Sequence, residues 1–312
     1  MLDNGLHILG RAEGLARPLD PDALAASHPL WASDVERFGP FRGEGDIFSA
    51  SGAGDWAAPV VVCGDCASSL DVAWALREQD LLPPWGAVLA VTQHRGRGQL
   101  RRPWDSPAGN MHAAWSWPLP PDPLPGLAAL LVGLALAETL ESLGADTALK
   151  WPNDVLVDGR KVGGVLVEER AGGLMAGIGV NLAQAPPDSA LRDGWAVPAA
   201  SLKDRLDNDP GPAALCAALV FWGVSRYKGR LSIIRPKEYI PALERRLAWK
   251  GDRVLVHGSG EPLEARIAGL APDGGLLLER DGRREPLYSG SISHISDDVP
   301  PPSRFKGRGS SA

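Results

Sequence analysis

The chain has 312 residues, 44% of them hydrophobic and 22% charged, which suffices to bury an ordinary core in one or two domains. Its net charge of −6 argues against a protein built mainly to hold nucleic acid. It has three cysteines, no signal peptide and no apolar run near the roughly 20 residues of a membrane helix, so we predict a cytoplasmic protein without membrane or nucleic-acid partners.

The first 58 residues are rich in glycine, proline, alanine and aspartate, and they carry nine acidic residues against four arginines. This charge balance and the lack of a helix pair of suitable length argue against an N-terminal DNA-binding domain. We predict a partly ordered N-terminal extension, 1–58, of unknown role. Four aromatic residues would pack it onto the main body, namely Trp31, Phe38, Phe41 and Trp56.

From residue 59 the chain alternates between apolar runs typical of buried strands and runs typical of helices. The predicted strands are 59–63, 87–91, 111–117, 148–151, 162–168 and 174–182, and the predicted helices are 69–78, 127–143, 212–227 and 236–247. The polar, turn-rich interval 188–207 is predicted to be a surface excursion. This order indicates an α+β fold over 59–247, with a mixed sheet and flanking helices.

The pattern changes after residue 247, where short strands alternate with tight turns. The predicted strands are 253–257, 262–270, 276–280 and 284–288, and Asp-Gly pairs at 273–274 and 281–282 suit hairpin turns. These features predict a small β-barrel over 248–296. Residues 297–312 are rich in proline, glycine and serine and are predicted to form a disordered tail.

Two segments concentrate the polar chemistry, and the first is Lys150-Trp151-Pro152-Asn153-Asp154 followed by Arg160-Lys161-Val162-Gly163-Gly164. Proline lacks an N–H for a strand ladder, so Asn153 and Asp154 are predicted to lie in a turn. Lys161 begins the next strand beside glycines that let another molecule approach the backbone. A cation in this setting suits an anionic ligand.

The second segment runs from Gln93 to Trp104 and contains four arginines, with Arg97 between Gly96 and Gly98. Backbone N–H groups of such a loop can wrap phosphate oxygens, and arginine adds donors that stay charged at any working pH. Trp104 offers a flat face on which a base could stack. The spacing fits neither the Walker pattern nor the dinucleotide fingerprint.

Together with Gly177-Ile178-Gly179-Val180-Asn181, these segments resemble the ordered signature of the biotin–protein ligases, in the monofunctional type without a DNA-binding domain. The resemblance is strong over 59–182 and weaker to about residue 295. It implies a biotin/lipoate ligase-like catalytic domain over 59–247 and an SH3-like barrel over 248–296.

The resemblance also implies a two-step ligase reaction. Biotin and ATP would form biotinyl-5′-AMP, and a lysine of a biotin carboxyl carrier domain would then take the biotin. Mg²⁺ would be bound mainly through ATP, without a metal site on the protein. The sequence leaves both a monomer and a homodimer open, and it does not identify the carrier.

The resemblance assigns roles to individual residues. Lys161 would bridge the biotin carboxylate and the α-phosphate, Asp154 would orient or deprotonate the incoming lysine, and Arg97 would contact biotin and phosphates. The positions that match biotin-binding residues are Ser68, Ser69, Gln93, Gly96, Arg97, Lys161 and Gly164. Those that match residues binding ATP or the adenylate are Gly98, Arg102, Trp104, Asn153 and Asn181. The arginine loop is predicted to be mobile without ligand and ordered with it.

Three positions depart from the commonest family pattern. Leu70 replaces an asparagine in the biotin pocket, Gln99 replaces an arginine, and Arg101 replaces a glycine. If the backbone needs a positive φ at Arg101, the arginine costs roughly a kcal/mol or more, so an adjusted loop conformation is expected.

Other functions stay open at this point. A lipoate or octanoate ligase has a related fold, and a non-catalytic sensor could hold biotin or a nucleotide.

Cys63 and Cys66 form a Cys-x-x-Cys pair, which can be a redox pair or half of a zinc site. The third cysteine, Cys216, lies in a predicted helix, and the histidines show no ligand spacing. Both observations disfavour a redox or zinc site.

Overall fold

The computed structural model describes residues 1–12, 14–50, 56–119, 124–170, 172–190, 197–258 and 261–295. Ten strands form one mixed sheet: β1 (Leu6–Leu9), β2 (Phe41–Glu44), β3 (Ile47–Ala50), β4 (Val60–Cys63), β5 (Ala87–Ala90), β6 (Met111–Pro118), β7 (Thr147–Lys150), β8 (Asp154–Val157), β9 (Arg160–Arg170) and β10 (Gly173–Val180). Their order across the sheet is β2-β3-β1-β4-β5-β6-β10-β9-β8-β7.

The N-terminal region differs from the predicted partly ordered extension. Strand β1 pairs in parallel with β4, with Leu6 opposite Val60, and the β2–β3 hairpin extends the sheet beyond β1. Two helices precede that hairpin, α1 (Pro21–Ser27) and α2 (Pro29–Phe38), although no helix pair was expected. The sheet therefore starts well before residue 59, in a region whose glycine- and proline-rich composition had hidden these short strands.

Helices cover both faces of the sheet. They are α3 (Ser69–Glu78), α4 (Leu124–Glu141), α5 (Pro212–Tyr227) and α6 (Pro236–Arg246). Successive residues of β4 alternate between two apolar clusters, with Val60 and Val62 in the cluster that includes α4 and α5, and Val61 in the cluster that includes α3. The sheet is thus buried on both faces. Within the described part of the chain, no helix combines the length and the apolarity needed to cross a membrane.

Five strands after residue 252 form a separate antiparallel sheet: β11 (Arg253–His257), β12 (Leu263–Leu270), β13 (Leu276–Arg280), β14 (Arg283–Leu287) and β15 (Ser291–His294). Strand β15 was not predicted, because Ser-Ile-Ser-His offers one apolar residue. The indole N–H of Trp151 donates to the carbonyl of Gly274 at 3.0 Å, which joins this sheet to the main body. The predicted α+β fold with a small SH3-like β domain is confirmed. The predicted tail, 297–312, lies outside the described residues.

Asp34 joins the N-terminal helices to α5. Its buried carboxylate accepts hydrogen bonds from the backbone N–H groups of Ala213 (2.7 Å) and Ala214 (3.2 Å), in the first turn of α5. An Asp34→Ala substitution leaves both donors unsatisfied, so we expect the free energy of unfolding to fall by roughly 1–3 kcal/mol in urea titrations. Asp34→Asn retains an acceptor oxygen and should lose less. Equal losses in the two variants would contradict this capping role.

The same carboxyl group should make stability depend on pH. Burial raises the pKa of Asp34 to about 7, against the opposing effect of the two backbone donors. In the unfolded chain the pKa is roughly 3.9, so the folded protein binds the proton more tightly. The stability of the wild type, relative to Asp34→Asn, should therefore fall as pH rises from about 4 to 7. A difference between the two proteins that stays constant over this range would contradict the assignment.

Candidate active site

A cavity of about 800 Å³ opens where the 93–104 loop, strands β9 and β10 and the C-terminal sheet meet. Twelve of the thirteen residues singled out by the sequence line it: Ser68, Ser69, Gln93, Arg97, Gly98, Arg102, Trp104, Asn153, Asp154, Lys161, Gly164 and Asn181. The thirteenth, Gly96, is not among the lining residues. The C-terminal sheet contributes Asp273, Gly274 and Tyr288 to the wall. Residues from distant parts of the chain therefore line one cavity.

Three charged side chains form the floor of the site. The ammonium of Lys161 lies 2.6 Å from Oδ1 of Asp154, and the ammonium of Lys150 lies 3.4 Å from Oδ2. Lys150 and Asp154 face each other across the β7–β8 turn, and Lys161 comes from β9. Asp154 begins β8, whereas the sequence had suggested a turn. We call Lys150, Asp154 and Lys161 the charge triad.

The charge triad sets the protonation of its carboxylate. Burial by itself raises the pKa of Asp154, but attraction to Lys161 and then to Lys150 outweighs burial and holds the pKa below its ordinary value. Asp154 is therefore ionised at neutral pH. The triad carries two positive charges against one negative charge, so it attracts an anion entering the cavity.

The backbone of Lys161 is held by a segment predicted to be a surface excursion. The N–H of Lys161 donates to the carbonyl of Pro198 at 2.8 Å, and its carbonyl accepts from the N–H of Ala200 at 2.9 Å. Val197 and Ala199 also line the cavity. For 197–202 the predicted excursion was wrong. A turn-rich sequence carries no signal for pairing with a strand edge about forty residues earlier.

The arginine loop folds back on itself. The N–H of Gly98 donates to the carbonyl of Arg102 at 2.7 Å, and the N–H of Trp104 donates to the carbonyl of Gly96 at 2.9 Å. A methyl group at Gly96 would lie 2.5 Å from the Trp104 carbonyl, so this close approach requires glycine. The left-handed conformation in this loop falls at Leu100, with φ 55°, and Arg101 does not have a positive φ.

Arg97 is held by two carboxylates that the sequence analysis missed. Its guanidinium donates to both oxygens of Asp71 at 3.0 and 2.9 Å and to Glu168 at 3.2 Å. The hydrogen bond to Asp71 contributes most to raising the pKa of Arg97. Asp71 lies in the first turn of α3, close to the predicted site residue Ser68. Glu168 lies on β9, where no neighbouring motif in the sequence indicates a role in the site. Both side chains orient Arg97 along the cavity wall.

The ring of Trp104 lies close to Gly179 and Gly164, on neighbouring strands of the sheet. A methyl group at Gly179 would overlap the ring, and the Lys161 ammonium lies 5.3 Å from the ring centroid. Such a distance is within range of a cation–π interaction. The indole nitrogen of Trp104 is buried and has no hydrogen-bond partner among the described residues. Gly179 thus makes room for an aromatic surface next to a positive charge.

A polar pocket lies at the start of α3. The Ser68 hydroxyl caps this helix by accepting from the N–H of Leu70 at 3.3 Å. The amide oxygen of Gln93 accepts from the N–H of Ser69 at 2.7 Å. The amide nitrogen of Gln93, Nε2, donates to the hydroxyl of Ser106 at 2.8 Å. A ligand that binds here must therefore compete with, or add to, existing hydrogen bonds.

The two asparagines also have internal partners. Nδ2 of Asn153 donates to the carbonyl of Val165 at 2.7 Å and supports β9 beside Gly164. Nδ2 of Asn181 donates to the carbonyl of Ala200 at 3.3 Å, and the side chain is almost fully buried. These contacts stabilise the wall of the cavity, and each amide oxygen carries lone pairs for a further donor.

Both parts of the chain match known families. Residues 64–184 match the biotin/lipoate A/B protein ligase family, and residues 251–295 match the biotin protein ligase C-terminal domain. The chain is 30% identical to a biotin–[acetyl-CoA-carboxylase] ligase of Paracoccus denitrificans over 216 residues, which cover 66% of this chain and 88% of that one.

Other relatives are longer. A bifunctional ligase/repressor of Salmonella typhimurium is 31% identical over 223 residues, which cover 66% of this chain and 66% of that protein, just under two thirds of its length. Among solved structures, a biotin protein ligase from Aquifex aeolicus in complex with biotin and ATP matches with a TM-score of 0.62 and 26% identity, over 75% of this chain and 97% of that one.

The packing of Trp104 can be tested without any ligand. Gly179→Ala should displace the ring, because the added methyl would overlap it, whereas Gly164→Ala adds only an ordinary contact 3.5 Å from the ring. We expect the indole N–H resonance of Trp104, assigned by its loss in Trp104→Phe, to shift much more in Gly179→Ala. Equal shifts in the two alanine variants would show that the ring does not rest on Gly179.

Proposed function

Because the chain belongs to the biotin/lipoate A/B protein ligase family, we propose that it is an ATP-dependent biotin–protein ligase, which adenylates biotin and transfers it to a lysine of a carrier domain. The observation that carries this proposal is the Lys161 ammonium, which lies in one cavity with the Trp104 ring and the arginine loop. A cavity of about 800 Å³ is also large enough for a drug-sized ligand.

The first step brings two anions together. A carboxylate oxygen of biotin attacks the α-phosphorus of ATP, and the bond from that phosphorus to the oxygen bridging to the β-phosphorus breaks, releasing pyrophosphate. Lys161 is suited to neutralise both anions and the charge that develops in the transition state. Its ammonium lies 2.6 Å from Oδ1 of Asp154. The substrate anions would replace that partner.

The loop arginines supply further positive charge. Arg97 and Arg102 line the same cavity, and arginine binds phosphate or carboxylate through paired N–H donors. Asp71 and Glu168 hold the Arg97 guanidinium at the wall of the cavity. We propose that the loop closes over the adenylate, with Trp104 as the surface on which adenine stacks.

The second step transfers biotin to the carrier. The carrier lysine amine attacks the acyl carbon, the bond from that carbon to the phosphate oxygen breaks, and AMP leaves. The attacking nitrogen must lose a proton, and Asp154 is the proposed acceptor. Lys161 and Lys150 together make Asp154 a weak base. When Lys161 turns to the phosphate, Asp154 loses part of that attraction and becomes more basic.

The biotin head group would occupy the polar pocket at the start of α3. A buried urea must have its donors and acceptors matched, and Ser68, Ser69 and Gln93 offer hydroxyl and amide groups. The existing Ser69–Gln93 hydrogen bond pre-orients the glutamine amide. Gly164, whose added methyl would meet Lys161 and Trp104 at 3.4 and 3.5 Å, leaves room for the ring system of biotin beside the triad.

Mg²⁺ enters this proposal only with ATP. In the ranges that the structure describes, no three or more histidine, cysteine or acidic side chains group in a way that could hold a metal ion. Of the acidic residues that line the cavity, Asp154 is paired with Lys161 and Lys150, and the Asp273 carboxylate accepts from the Tyr288 hydroxyl. Mg²⁺ would be bound mainly through ATP and would neutralise part of the triphosphate charge.

Lipoate or octanoate is the rival substrate, because the matching family description names both biotin and lipoate ligases. Incubation with ATP, Mg²⁺, a biotin carrier domain and biotin should give a product that an avidin blot detects. An excess of lipoate or octanoate should not suppress it. A protein that binds biotin and ATP but modifies no carrier would instead be a sensor.

Lys161→Ala should abolish the first step without unfolding the protein. Removing a charge that stabilises a transition state costs on the order of 10²–10³ in rate, measured here as biotin-dependent pyrophosphate release. Lys203→Ala removes an exposed lysine and should retain the wild-type rate. Near-normal turnover in Lys161→Ala, with an unchanged unfolding midpoint, would remove Lys161 from the mechanism.

A further inference from the structure

Lys150 is an unusual member of the charge triad. Its side chain is 9% exposed, whereas that of Lys161 is 26% exposed. A buried ammonium loses hydration. Attraction to a single carboxylate that is shared with another lysine offsets only part of this loss in free energy. Asp154 and Lys161 form an ion pair at 2.6 Å without it. The second lysine therefore needs a separate explanation.

The two lysines occupy different oxygens of the same carboxylate. Lys161 meets Oδ1, and Lys150 meets Oδ2. Lys150 stands at the end of β7 directly opposite Asp154, so the strand register fixes this pair. Lys161 comes from another strand and also lies beside the Trp104 ring. Lys161 can thus turn to an anion beside Trp104 while Lys150 stays at Oδ2.

The C-terminal domain surrounds Lys150 from the other side. The Lys150 ammonium lies 5.9 Å from the centroid of the Trp249 ring. The pKa of His257 is lowered mainly by burial and, to a smaller extent, by the charge of Lys150. Among the described residues, the charges that shift the pKa of Asp154 are those of Lys161 and Lys150, and the cavity that the triad faces is also lined by Arg97, Arg102, Asp105, Asp273 and Tyr288. A neutral histidine and an aromatic face leave the Lys150 charge directed at Asp154. In the part of the chain that the structure describes, Asp154 is the one carboxylate in an ion pair with Lys150.

On the basis of the proposed function, we propose that Lys150 is a positioning residue, which keeps Asp154 a carboxylate after Lys161 has turned to the substrate anions. Without Lys150, a buried Asp154 would then lose its counter-charge and take up a proton. A protonated Asp154 cannot accept the proton that the carrier lysine must lose. Lys150 therefore acts on the transfer step through Asp154 and does not touch the reacting atoms.

The first test needs no substrate. In Lys161→Ala, the ¹³C carboxyl signal of Asp154, assigned by its loss in Lys161→Ala/Asp154→Asn, should report an ionised group at pH 7. Adding Lys150→Met should raise the titration midpoint by roughly one unit or more, because an opposite charge at this distance shifts a carboxyl group by about 1–3 units. An Asp154 that is protonated at pH 7 in Lys161→Ala alone would overturn the proposal.

The second test follows transfer from preformed biotinyl-5′-AMP to a carrier domain in single turnovers between pH 6 and 9. In Lys150→Met the acidic limb of the rate profile should move up by roughly one pH unit, and Lys150→Arg should restore it. A merely structural role would lower the rate equally at every pH, and an unmoved limb would overturn the proposal. If the wild type transfers no biotin, the proposed function fails, and the carboxyl titration still decides the role of Lys150.

Discussion

A buried carboxylate between two ammonium groups is the interaction on which the site depends. Charges removed from water must be paired, and Asp154 meets this need at both oxygens, with Lys161 at 2.6 Å and Lys150 at 3.4 Å. The strand register at the β7–β8 turn holds Lys150 opposite Asp154, and backbone hydrogen bonds to Pro198 and Ala200 hold Lys161. An excess positive charge thus faces a cavity that suits anionic ligands.

The C-terminal domain completes this electrostatic setting. It is tied to the main body through Trp151, which donates to Gly274, and it brings Trp249 against Lys150. Both contacts flank the charge triad. The side chains of Lys150 and Asp154 are only 9% and 14% exposed, so the attraction between their charges is stronger than it would be on an open surface. The small domain also contributes Asp273, Gly274 and Tyr288 to the wall of the cavity and is therefore part of the site.

The arginine loop and the polar pocket depend on side chains that are already engaged. Arg97 is bonded to Asp71 and Glu168, and Gln93 is bonded to Ser69 and Ser106. These bonds hold the groups close to the positions in which a ligand would meet them. Less conformational freedom is then lost on binding than if the side chains were free in solvent. The side chains of Arg97 and Gln93 are thus largely preorganised.

The sequence by itself determined the residue types of the site, because its motifs are local and keep lysine, carboxylate and glycine at set spacings. It also determined the α+β order from residue 59 onward, through apolar periodicity. Only the tertiary structure decided which groups pair: Arg97 with Glu168, Lys161 with the 197–202 segment, and the N-terminal strands with β4. Such pairings join residues far apart in the chain, and hydrogen bonds across that distance leave no periodic trace in either partner.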